Sequence, residues 1–130
     1  MNEDSKSVML LSNFNDSKKI YDEIVAMAVI GSYNTEHWRK NRSDIDILIL
    51  LKSIRRIEFE FELEETLLEK LKDFFSYEDI HICFLYMNEF DTDFAREYLK
   101  SCNKVIYDFE KEIDFRLYVN KYIRNQEYNN

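Results

Sequence analysis

Proline is missing from this chain, and glycine occurs once, at Gly31. Without proline there is no stiff spacer, and one glycine makes no flexible tether, so the 130 residues read as one domain, 1–130, with one hydrophobic core. Only two cysteines occur, Cys83 and Cys102, far apart and in no metal-ligand spacing, which predicts free thiols. Long apolar runs are missing too: none approaches the roughly 18 residues that a membrane span requires. The opening MNEDSKSVML carries acids where a signal peptide would be basic and then apolar, so the expected location is the cytoplasm. Positive charge is scarce, 18 basic residues against 26 acidic, and a formal charge of −8 works against unspecific binding to nucleic-acid phosphates. A phosphorylated ligand held through a metal, or a basic protein partner, is compatible with that charge.

What is present suits a globular fold: 45% hydrophobic residues are enough to build a core and 34% charged residues to solvate it. Ile20, Ile24 and Val25 fall at helical spacing within Ser17 to Val25, which predicts a first helix. The run VAMAVIGS that follows reads as a buried strand ending at the glycine. Asp44 to Lys52, apolar on both faces after Asp46, predicts a central strand covered on both sides. Ile54 to Phe75 mixes two periods. Its first half alternates Ile57, Phe59, Phe61 and Leu63 with glutamates, while Leu63, Leu67, Leu71 and Phe74 step as a helix does. Helix is the reading for the whole segment, because Glu, Leu and Lys all favour it.

Glu78 to Tyr86 alternates as a strand, and Phe90, Phe94 and Tyr98 step by four as a helix capped near Asn88 to Thr92. KVIYD reads as a short edge-like strand, and a long helix runs from Phe109 onward. The order α, β, β, α, β, α, β, α predicts a small α/β fold with a mixed sheet and flanking helices.

The chemistry concentrates in AVIGSYNTEHWRKNRSDIDILILL, Ala28 to Leu51. Alternate side chains of a strand share a face, so Asp44 and Asp46 point the same way with Cα atoms about 6.5 Å apart. Two such carboxylates repel unless a cation lies between them. Hard oxygen donors suit magnesium, and two metal ions about 3.5 to 4 Å apart can clamp the attacking and leaving oxygens of a nucleotidyl transfer. Gly31 and Ser32 allow backbone and a small hydroxyl to approach a phosphate. Arg39, Lys40 and Arg42 form a local positive cluster suited to a triphosphate.

Gly-Ser, a polar loop and then Asp-x-Asp entering a buried strand resembles the signature of the minimal nucleotidyltransferases of the DNA polymerase β superfamily. The resemblance extends from Ser17 to the last helix through the order of the elements. It implies that Gly31 and Ser32 hold the nucleotide's phosphates and that Asp44 and Asp46 are the ligands of two magnesium ions, with ATP as substrate. Ser43, Arg39 and Arg42 join the nucleotide-binding candidates, the arginines beside the leaving pyrophosphate. Stand-alone members of this size are similar to antitoxins of toxin–antitoxin pairs, in which AMP passes from ATP to a tyrosine of an all-helical HEPN ribonuclease toxin.

The resemblance also implies a third carboxylate on a later strand, in a pattern like Val-Asp-Leu-Val. Here the matching residues are Ile80, His81, Ile82 and Cys83, so His81 stands where the aspartate would be, with Asp79 two residues earlier on the same strand face. Imidazole is a poor magnesium ligand but can accept a proton near neutral pH, which makes His81 a catalytic candidate. A strand position merely filled by histidine in a protein that no longer catalyses is the competing reading. His37 reads as a surface histidine, and the glutamates from Glu58 to Glu65 as a solvated face.

The terminal helix carries two apolar arcs: Phe109, Ile113 and Leu117 form one, and Phe115, Tyr118, Val119, Tyr122 and Ile123 the other. One stripe suffices to cover a sheet, so the second arc serves either a partner or a second copy of the chain, or else simple core packing. Two functions from different classes follow. One is a magnesium-dependent enzyme moving a nucleotide onto a partner protein's hydroxyl; the other is a degenerate protein of the same fold that acts by binding alone. An enzyme for small substrates such as aminoglycosides is a weaker third reading, since no second domain is there to hold them.

Overall fold

A computed structural model describes residues 8–14 and 22–129. Among the described residues four strands form one sheet: β1 (Ile24–Ile30), β2 (Ile45–Leu51), β3 (Ile80–Tyr86) and β4 (Lys104–Ile106). Three α-helices accompany it, α1 (Ile57–Phe75), α2 (Asp93–Lys100) and α3 (Phe109–Asn129). The strand order is β3-β2-β1-β4; β2 and β3 are parallel, and β1 is antiparallel to both β2 and β4. The fold is therefore the small mixed-sheet α/β architecture expected, with β4 at an edge.

The helix expected over Ser17 to Val25 lies largely outside the described residues, and its last two positions are corrected. Ile24 and Val25 open β1, whose seven residues are all buried. Such a run is too apolar to tolerate solvent on either face and so occupies the sheet's interior.

The two faces have separate cores. Ile45, Ile47, Ile49 and Leu51 point from β2 toward α1, where Leu63, Leu67, Leu71 and Phe75 lie beneath the helix. Leu48 and Leu50 point the opposite way, toward Ala95 and Tyr98 of α2 and Phe115 and Val119 of α3. Helix α1 begins only after Arg56, whose backbone is extended, and it includes the segment whose alternation resembled a strand. Helical geometry leaves Ile57 and Phe61 exposed there. Glu58 and Glu60 in its first turn and Lys72 in its last complement the helix dipole. Thr92 caps α2 by accepting the Ala95 N–H at 3.3 Å, within the expected capping stretch.

Helix α3 corrects the reading of its arcs. Phe115 and Val119 are fully buried, whereas Phe109, Ile113 and Leu117 are exposed, so the centre of the second arc packs into the core, with Tyr122 and Ile123 half-buried and Tyr118 exposed at its margin. The buried face also holds Glu112, only 1% exposed. Its carboxylate accepts from the Tyr98 hydroxyl at 2.7 Å and the Arg116 Nε at 2.8 Å, with Lys104 Nζ at 3.9 Å. A buried carboxylate so surrounded is offset by hydrogen bonds and countercharge, and it binds α3 to α2 and β4.

Candidate active site

β2 and β3 start at the end of the sheet where β1 finishes. Ile30, Asp46 and His81 lie side by side across the three strands as direct register partners. Asp44, just before β2, shares the face of Asp46 by the two-residue period. On that face the cover supplied by α2 and α3 ends, so the side chains beyond Leu48 and Cys83 are polar and reach solvent.

The first two pieces of the site are built by its loops. The chain leaves β1 through a 3₁₀ turn, Gly31–Asn34. Gly31 has φ of +74°, and a β-carbon there would sit 2.7 Å from Asp46 Oδ2. Asn34 fixes the end of that turn, its Nδ2 donating to the Val29 carbonyl at 2.9 Å and its Oδ1 accepting from Asn103 at 3.2 Å. Tyr33 is buried edge-on against Trp38 and Phe75.

Trp38 anchors the polar loop, and its Nε1 donates to the Asp44 carbonyl at 2.8 Å. The Tyr77 hydroxyl donates to the Ser43 carbonyl and accepts the Asn41 N–H. Asp44 is thus positioned through its backbone by two aromatic side chains that motif reading did not single out. A lone tryptophan in a polar loop was the available signal.

At the centre, His81 Nδ1 lies 2.9 Å from Asp44 Oδ2 and 3.8 Å from Asp46 Oδ1. His81 Nε2 lies 3.2 Å from Asp79 Oδ1. One ligand atom from each of Asp44, Asp46 and His81 falls within 4.8 Å of the others. Burial and then the Asp44 carboxylate raise the pKa of Asp46 above the ordinary carboxylate value, against the pull of His81. Two carboxylates and an imidazole converge beside Gly31, where an added β-carbon would displace the Asp46 carboxylate, and form a donor set suited to a divalent cation.

The remaining candidates are distributed around this centre. Ser32 follows Gly31 within the turn and is half-buried. Arg39 points its Nη1 at the carbonyls of Glu36 and Trp38, at 2.6 and 3.1 Å. The Ser43 hydroxyl accepts the Arg39 N–H at 3.0 Å, so both side chains brace the loop. Arg42 and His37 are exposed. Lys40, Asn41, Ser76, Tyr77, Glu78 and Asp79 line a cleft of about 360 Å³ beside the carboxylates. Asn41 and Ser76 are the two described non-glycine residues in left-handed backbone, with φ of 68° and 53°. Cys83 and Cys102 are free thiols, as expected. No helix among the described residues is long and apolar enough to cross a membrane.

Comparison with known proteins adds one match. The family described as Polymerase beta, Nucleotidyltransferase matches residues 13–112, which contain the Gly31 turn, β1 to β4 and the whole Asp44–Asp46–His81 cluster. No curated protein matched the chain, and no solved structure did. A match over more than half of the chain, agreeing with the mixed sheet and the Gly-Ser and Asp-x-Asp placed at one end of it, settles the family: this chain belongs to the polymerase β nucleotidyltransferases.

Proposed function

We propose that the protein transfers AMP from ATP to a hydroxyl of a partner protein, with a HEPN-type toxin as that partner and the cytoplasm as the place of action. The observation that carries this is the convergence of the Gly31 turn with Asp44 and Asp46 at one end of the sheet in a chain of this family. Asp44 and Asp46 would hold two divalent cations, one of them the magnesium that accompanies ATP. Such ions neutralise charge on the triphosphate and on the leaving pyrophosphate.

The chain's own groups do the rest. The turn at Gly31 and Ser32 receives the phosphates, and Arg42, with Arg39 and Ser43 bracing the loop, lies on the pyrophosphate side. The acceptor oxygen bonds to the α-phosphorus as the bond to pyrophosphate breaks. Its proton leaves toward Asp79, whose side chain is 57% exposed beside His81. The cleft along Lys40, Tyr77 and Asp79 gives the acceptor segment room next to that carboxylate. The expectation of a docking face moves from Tyr122 to Phe109, Ile113 and Leu117, which with Tyr118 are exposed on α3's first half.

Incubation of the purified protein with ATP labelled in the α-phosphate, a divalent cation and the partner tests the reading. Label is expected on the partner with the wild type and not with Asp44→Asn plus Asp46→Asn, which should remain folded because both side chains reach solvent. Labelling by the double variant would show the site to be misassigned. The imidazole at position 81 favours a second reading, a fold that binds its partner without chemistry. That reading is correct if the wild type binds the partner and transfers nothing.

A further inference from the structure

We propose that the Asp44–Asp46–His81 cluster prefers a first-row transition-metal dication, such as Mn²⁺, over Mg²⁺, and that Asp79 positions His81 for it. The inference rests on the metal-dependent reading above and concerns which ion the second position of that same site takes.

The imidazole of His81 lies between carboxylates on both of its nitrogens. A neutral imidazole carries one N–H and one lone pair. Asp79 Oδ1 lies 3.2 Å from Nε2, where it can accept an N–H from that nitrogen, and Nδ1 is turned toward Asp44 at 2.9 Å and Asp46 at 3.8 Å. A dication among Asp44, Asp46 and Nδ1 would take the place of a proton on Nδ1. A carboxylate on the far nitrogen of a histidine is also the arrangement that fixes a metal-ligating ring and raises its basicity.

The donor set then discriminates between ions. Mg²⁺ requires a near-ideal octahedron and favours oxygen ligands, so the nitrogen at position 81 adds little for it. Transition dications accept imidazole readily and carboxylates as well. Two oxygens and one nitrogen within 4.8 Å therefore favour Mn²⁺, and more strongly Co²⁺ or Zn²⁺. His81 is 63% exposed at its side chain, so the ring can adjust to an ion without disturbing the core.

The test uses the full chain stripped of metal by a chelator. Calorimetric titration with MnCl₂ and with MgCl₂ is expected to give Mn²⁺ an affinity about tenfold or more above that of Mg²⁺. Pulsed electron paramagnetic resonance of the Mn²⁺ form is expected to show a directly bonded ¹⁴N. His81→Ala should lose the ¹⁴N coupling and most of the preference, and His81→Asp should shift it toward Mg²⁺. Asp79→Asn should keep the ¹⁴N coupling while weakening Mn²⁺ about tenfold or more. Equal affinities for the two ions, no binding of either, or a wild-type spectrum without ¹⁴N coupling would each overturn the proposal. Label transfer supported by Mg²⁺ in a protein without the ¹⁴N signal would sink this inference alone. The ¹⁴N signal in a protein that transfers no label would sink the transfer reading alone.

Discussion

Gly31 and Asp46 occupy each other's space: a β-carbon on the glycine would sit 2.7 Å from the aspartate's Oδ2, and the glycine's φ is +74°. The chain's one glycine is therefore required twice over, once by backbone conformation and once by the carboxylate above it.

Gly31→Ala follows directly from that contact. The left-handed backbone costs an alanine about 1–2 kcal/mol, which the fold should survive. The clash falls on the mobile end of the Asp46 side chain, so the carboxylate swings out of the cluster instead of the strands separating. Calorimetry should then show Mn²⁺ affinity lower by about tenfold or more, with the circular dichroism spectrum unchanged. Unaltered metal affinity would mean that Asp46 is not held where the site needs it.

Tyr98 and Glu112 give a pH dependence. Burial, and then the hydrogen bond to Glu112, push the Tyr98 phenol far above its ordinary value, and Tyr86, half-buried and bonded to Glu60, is pushed up to about 12. A phenol that holds its proton more tightly in the folded state contributes stability in full below the unfolded value of about 10 and loses it as pH rises through the folded value. Urea unfolding should therefore show stability falling above about pH 10. Tyr98→Phe should lower stability by about 1–2 kcal/mol at neutral pH and decline less steeply in alkali. A slope identical to the wild type's would remove Tyr98 from this account.

The two arcs of α3 make a stability pair. Phe115 is fully buried and Leu117 is 59% exposed. Phe115→Ala should cost about 3–5 kcal/mol in urea unfolding, and Leu117→Ala less than about 0.5 kcal/mol. The reverse order would show that Phe109, Ile113 and Leu117 form the inward face after all.

The sequence by itself determined most of the described elements and the direction of the carboxylates. Strand period fixes Asp44 and Asp46 on one face whatever lies around them, and Leu63, Leu67 and Leu71 step helically even after a stretch that alternates. Only the tertiary structure decided which arc of α3 turns inward. Both arcs are apolar, and the choice depends on Tyr98 and Lys104 meeting Glu112, partners from other elements whose placement periodicity does not report. The same holds at the site. Sequence placed His81 two residues after Asp79, but the register of β3 against β2 set it beside Asp46, and side-chain geometry aimed one ring nitrogen at Asp44 and the other at Asp79. Local periodicity governs where a side chain points from its own backbone. What it meets there is governed by strand pairing and packing among residues far apart in the chain.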